Sequence, residues 1–132
     1  MSDYLGKEIF KLGFGLMRLP KTADGKNDVA ETSEMVDRFI AAGGTYFDTA
    51  YVYDNGDSEA AIKKALVERY PRESYTLCDK LNVGIKGIDE EGAKQEFCTS
   101  LERTGVEYFD YYLLHAIGRA NNRKFDDFHI SF

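Results

Sequence analysis

Apolar positions along this chain switch between two spacings, and the switches divide it into short β-rich runs and longer helical stretches. Residues ahead of Phe10 form a lead-in that fits a short hairpin. The run from Phe10 to Met17 is apolar and glycine-spaced, closes before Pro20 and predicts a first strand. Asp24-Gly25-Lys26-Asn27 is turn chemistry, and Asp28 with Glu31 three residues on has the form of a capping box that opens a helix. Met35, Val36, Phe39 and Ile40 make the expected apolar stripe of that helix, and Gly43-Gly44 supplies a left-handed stop. Thr45-Tyr46-Phe47 then predicts a second strand that ends in Asp48.

The pattern repeats. Asp54-Asn55-Gly56-Asp57-Ser58 reads as a loop ending in N-cap residues, and Ile62, Ala65, Leu66 and Arg69 recur at helical spacing until Pro71 stops them near Tyr70. Ser74 to Cys78 predicts a third strand. A glycine-rich stretch from Asn82 to Gly87 leads to Asp89 and a helix carrying Ala93, Phe97 and Leu101, with a stop at Thr104-Gly105. Tyr108 to Leu114 is a near-continuous aromatic and aliphatic run, the pattern of a parallel strand buried on both faces, and His115 stands at its end.

Strands starting near Leu12, Thr45, Tyr75 and Tyr108 are spaced by about 30 residues, the length of one βαβ unit. Parallel strands with right-handed crossovers follow, which fits either a doubly wound sheet or part of a barrel. Composition narrows the setting. With 132 residues, 43% hydrophobic and 30% charged, the chain has the balance of a globular protein and enough length for one core, so residues 1–132 are expected to form a single domain. A net charge of −6 with no basic run argues against nucleic acid as a partner. No window is apolar enough to span a bilayer, and the start MSDYLGKEIF lacks the features of a signal peptide, so no membrane partner and a cytoplasmic location are expected. Cys78 and Cys98 have neither a CxxC spacing nor a third ligand nearby, which predicts reduced thiols and no metal site.

In parallel α/β folds the loops after the carboxyl ends of strands build the active site. Four polar residues fall there: Asp48, Tyr53 in the loop that follows it, Lys80 just past the third strand, and His115. Singly, each has an ordinary structural role, as a cap, a half-buried ring or a solvated cation. Together they suit the protonation of a carbonyl oxygen. A phenol with a free pKa of about 10 is a weak acid at neutral pH, but an ammonium beside it stabilises the phenolate and lowers that value. Lys80 would supply the ammonium, Asp48 would hold it, and a neutral His115 would orient the substrate oxygen. A hydride donor completes a reduction, and a nicotinamide is the natural one.

Four motifs, in order, strongly resemble the aldo-keto reductases: Leu12-Gly13-Phe14-Gly15-Leu16-Met17-Arg18-Leu19-Pro20; Phe47-Asp48-Thr49-Ala50-Tyr51-Val52-Tyr53 with Glu59 downstream; Asp79-Lys80-Leu81; and Asp110-Tyr111-Tyr112-Leu113-Leu114-His115. The Met-Arg-Leu-Pro wording is closest to the bacterial branch. The resemblance implies a (β/α)8 TIM barrel that reduces aldehydes and ketones with NADPH, with small-molecule carbonyls as substrates. It carries the family's catalytic tetrad onto Asp48, Tyr53, Lys80 and His115, and its nicotinamide contacts onto Met17, Arg18 and Asp48.

A complete barrel runs to about 250 residues, so this chain corresponds to a partial barrel, the first four βα units, without the phosphate-binding loops after strands seven and eight. Residues 115–132 depart from the family pattern. The closing Phe128-His129-Ile130-Ser131-Phe132 fits a remnant of a fifth strand, with Ser131 near the nicotinamide amide contact. Two readings stand side by side: a truncated NADP-dependent reductase, and a non-catalytic half-barrel whose open strand edges are covered by a second copy or another chain. Gly13 and Gly15 lack the third glycine of a dinucleotide fingerprint, and Asp89-Glu90-Glu91 is an ordinary acidic first turn rather than a metal cluster.

Overall fold

The computed structural model describes residues 9–84 and 88–118. The N-terminal lead-in before Ile9, part of the glycine-rich stretch, and the tail with His129 and Ser131 lie outside the described residues.

Four strands form one parallel sheet in the order β1-β2-β3-β4: β1 Phe14–Gly15, β2 Tyr46–Asp48, β3 Thr76–Leu81 and β4 Tyr111–Leu114. Helices α1 Val29–Ala41, α2 Asp57–Ile62 and α3 Glu90–Thr104 connect them, so strand and helix alternate as the sequence pattern requires. The helix caps are the expected ones. Asp28 accepts from the Glu31 amide at 2.9 Å, Asp89 accepts from the Gly92 amide at 2.8 Å, and Gly105 closes α3 with φ +74°. After α1 the chain turns at Gly43, φ +94°, where a side chain would be strained.

Leu16, Val36, Phe47, Ile62, Leu66 and Leu77 are fully buried between the sheet and the first two helices. Phe47 is the hub, with ring centroids of Phe39 at 5.3 Å, Phe14 at 5.5 Å and Tyr75 at 6.2 Å. Burying such a ring contributes about 1.5–3 kcal/mol.

Several boundaries differ from the sequence reading, each for a local reason. The first strand is two residues rather than the run from Phe10 to Met17, and it pairs Phe14 with Phe47 and Gly15 with Asp48. A Cβ on Gly13 would lie 3.2 Å from the Tyr46 ring, so glycine there lets the chain pass close to β2. Met35 is 40% exposed; Thr32 takes its place beside Val36 on the buried face of α1. The second helix passes into a π turn over Lys63–Val67, with Glu68 N donating to Lys63 O at 2.9 Å, and ends there. Arg69 instead leaves the helical stripe and pairs with Asp37 of α1 at 2.7 Å.

Pro71 opens a 3-10 turn at Arg72–Ser74, so β3 begins two residues later than expected and runs on through Asp79 and Lys80. β4 likewise starts at Tyr111 rather than Tyr108. Arg72 gathers the residues before it, stacking 4.0 Å over the Tyr108 ring and pairing with Asp110 at 2.6 Å. β4 is not buried on both faces: it lies at the end of the sheet, and Leu113 is 44% exposed. Among the described residues no helix is long and apolar enough to cross a membrane.

Candidate active site

Backbone bonds at the carboxyl ends of the strands fix the loops that carry the candidate residues. Leu16 N donates to Asp48 O at 2.9 Å, Thr49 N to Cys78 O at 3.0 Å, and His115 N to Leu81 O at 2.9 Å. Beneath them Thr49 and Ser58 share a buried hydroxyl bond of 2.8 Å, and Ser58 donates to Leu16 O at 2.9 Å. The ends of β1 and β2 and the start of α2 are thereby tied together.

Pleat alternation decides which side chains meet. β2 and β3 pair Asp48 with Cys78, so Lys80, two residues further, is on the same face as Cys78. Its ammonium donates to Asp48 Oδ1 at 2.5 Å and to Thr49 O at 2.7 Å. The same ammonium lies 4.8 Å from the centroid of the Tyr53 ring, and the His115 ring meets Tyr53 edge to face at 5.4 Å. The structure therefore brings together Asp48, Tyr53, Lys80 and His115. Met17, 57% exposed, and Arg18, also exposed, lie just beyond β1 at the same end of the sheet.

Burial works against the Lys80 charge, but the Asp48 carboxylate outweighs it, with Tyr53 acting in the same direction, and holds its pKa above the ordinary lysine value. His115 moves the other way. Burial lowers its pKa and the Lys80 charge lowers it further, against an opposing pull from Asp48, so the imidazole is neutral at pH 7. Such a set can hold a permanent positive charge beside a phenol and present a neutral imidazole next to it.

The loop bearing Tyr53 has an unusual backbone. Asp54, Asn55 and Gly56 follow it with φ of 53°, 55° and 93°, three left-handed residues in succession. Non-glycine residues persist there only when their surroundings hold them. Lys21 pairs with Asp54 and also donates to Asn27 Oδ1 at 2.7 Å, which ties the loop to the turn before α1.

Sequence reasoning missed the groups behind β3. Asp79, adjacent to Lys80, is fully buried on the opposite face; burial and then the nearby Glu59 carboxylate push its pKa up to about 8. Its signal was its place between Cys78 and Lys80 in a strand longer than the one expected. Cys78, which burial pushes up in pKa, and the exposed Cys98 are both free.

The aldo/keto reductase family model matches residues 11–126. A probable aldo-keto reductase of Glycine max is 32% identical over 119 residues, 85% of this chain and 34% of that protein. An aldo-keto reductase of Mycobacterium sp. (strain MCS) is 36% identical over 112 residues, 83% of this chain and 35% of that protein. Among solved structures, an aldo-keto reductase from Klebsiella pneumoniae in complex with NADPH has the same fold over 83% of this chain and 36% of its own, with TM-score 0.70 and 24% identity. The chain spans about a third of the length of these relatives, so its four parallel strands are a partial (β/α)8 barrel. On the match over residues 11–126 and the shared fold, the chain belongs to the aldo/keto reductase family.

Proposed function

We propose that this chain carries the proton-donating half of a site that reduces aldehydes or ketones to alcohols with NADPH, with Tyr53 as the general acid. The observation that carries this reading is the Lys80 ammonium, fixed by Asp48 at 2.5 Å and set 4.8 Å from the Tyr53 ring. A cation in that place stabilises the negative charge that develops on the phenolic oxygen as Tyr53 passes its proton to a carbonyl oxygen. His115, neutral and edge-on to Tyr53, orients that oxygen by a hydrogen bond. Asp48 keeps Lys80 in place through the proton transfer.

The exposed Met17 and Arg18 give an apolar and a cationic surface at the mouth, next to Asp48, and these three would hold the nicotinamide end of the cofactor. When bound, the nicotinamide supplies the hydride that the carbonyl carbon takes up. The reading is tested by titrating NADPH into the purified chain, following its fluorescence and its oxidation by a nitrobenzaldehyde. Saturable binding with turnover supports it; no binding at millimolar cofactor overturns it for this chain on its own.

A second reading has its own observation. Leu113 of β4 is 44% exposed at the end of the sheet, and the relatives are about three times as long as the matched segment. In this reading the chain is a non-catalytic half-barrel whose open sheet is covered by a second copy or a partner chain. A monomeric mass in solution, with no binding of a dye that reports exposed apolar surface, counts against it. The single-domain organisation and the cytoplasmic location belong with the proposed enzyme.

A further inference from the structure

A second concentration of polar groups lies behind β3, on the face away from Asp48. Glu59 of α2, Asp79 of β3 and Ser100 of α3 are fully buried, and Glu96 of α3 is 5% exposed. One oxygen on each of Glu59, Asp79 and Glu96, together with the Ser100 and Tyr112 hydroxyls, has no hydrogen-bond partner. Buried carboxylates demand a compensating charge. Glu59 has one in Arg103, near the end of α3, whose Nη1 donates to Glu59 Oε2 at 3.0 Å.

Arg103 does more than pair with Glu59. Its guanidinium lies 4.6 Å over the Tyr51 ring, and a Cβ on Gly56 would stand 2.7 Å from its Nη1. Tyr51 and Gly56 bracket Tyr53, and Glu59 lies in the first turn of α2, the helix that follows. Gly56, the last of the three left-handed residues, therefore passes close to a planar cation that is itself gripped by a buried carboxylate. A lysine could reach Glu59 but offers no plane for stacking. Arg103 thus links α3 to the loop that carries Tyr53.

We propose that Arg103 is a positioning residue whose guanidinium, anchored on Glu59 and stacked beneath Tyr51 and Gly56, fixes the Tyr53 ring relative to Lys80 and His115. The importance of that placement for a reaction rests on the reading of Tyr53 as the acid, whereas the placement itself is tested without any turnover. The Tyr53 ring, edge to face with His115 at 5.4 Å, shifts the resonances of the His115 imidazole protons, so nuclear magnetic resonance reads the geometry directly.

The full chain is compared with Arg103→Met, with Tyr51→Leu, which removes the stacking partner and leaves the ion pair, and with Tyr53→Leu as the reference for a lost ring contact. Circular dichroism establishes that each variant is folded. The expected result is that the His115 shifts of Arg103→Met move most of the way to the Tyr53→Leu values, and those of Tyr51→Leu move part of the way. His115 shifts equal to wild type in either folded variant overturn the proposal, and if Arg103→Met fails to fold, Tyr51→Leu decides it. Turnover that survives Tyr53→Phe would remove the reaction but leave the spectroscopic result standing, so the two ideas fail separately.

Discussion

Asp79 and Lys80 are neighbours in β3 and face opposite sides of the sheet. The Lys80 ammonium reaches Asp48 at 2.5 Å in the candidate site, while the Asp79 carboxylate is buried among groups of α2 and α3. One backbone bond joins the two environments: Lys80 N donates to Asp79 Oδ1 at 2.7 Å. Pleat geometry thus places a cation on the face of the candidate site and a carboxyl group behind it.

Tyr53→Phe removes the phenolic proton and leaves the ring contacts with Lys80 and His115. In any assembly of this chain that oxidises NADPH with an aldehyde, the rate is expected to fall by on the order of 100-fold or more. Undiminished oxidation in this variant would show that the proton comes from elsewhere.

The His115 imidazole is expected to titrate below the ordinary 6.5, because burial and the Lys80 charge both oppose protonation. Lys80→Met removes that charge and frees Asp48 to favour the imidazolium, so the midpoint rises. Following the His115 ring protons from pH 4 to pH 9, at about 0.15 M salt to limit long-range effects, measures both values. A midpoint that falls or stays in Lys80→Met contradicts this electrostatic account.

Asp79 links stability to pH. Its pKa is raised from 3.8 to about 8 on folding, so the folded state holds this proton after the unfolded chain has lost it. The contribution is complete below the unfolded value and disappears as pH rises through the folded one, between about 4 and 8. Asp79→Asn cannot ionise, and its urea midpoint should decline less than that of wild type between pH 5 and pH 9. Parallel declines in the two proteins would show that Asp79 is not protonated when folded.

Gly44→Ala is expected to destabilise by about 1–3 kcal/mol, as overpacking does. Its Cβ would lie 2.4 Å from the Phe39 ring, which is enclosed by Phe14, Phe47 and Phe10 at 5.5, 5.3 and 5.9 Å and cannot withdraw freely. Thermal unfolding followed by circular dichroism measures the loss, and an unchanged melting temperature would mean that the ring does move.

Much of this was legible in the order of residues. Alternating periods of apolar spacing, the caps at Asp28 and Asp89, and the stops at Gly43 and Gly105 determined three helices between parallel strands, because these signals act within a few residues of chain. Asp48, Tyr53, Lys80 and His115 could be named from their places after apolar runs, and the resemblance in four motifs carried the family's tetrad onto the same four. What the sequence did not determine depended on partners distant along the chain. Arg72 takes Tyr108 and Asp110 out of the expected strand, Pro71 delays β3 until Thr76, and the register of β3 against β2 sets which face Lys80 occupies. The polar cluster behind β3 was hidden for the same reason. Glu59, Asp79, Glu96 and Arg103 are separated by up to 44 positions, and only the packing of α2 and α3 on β3 removes the water that would have surrounded them.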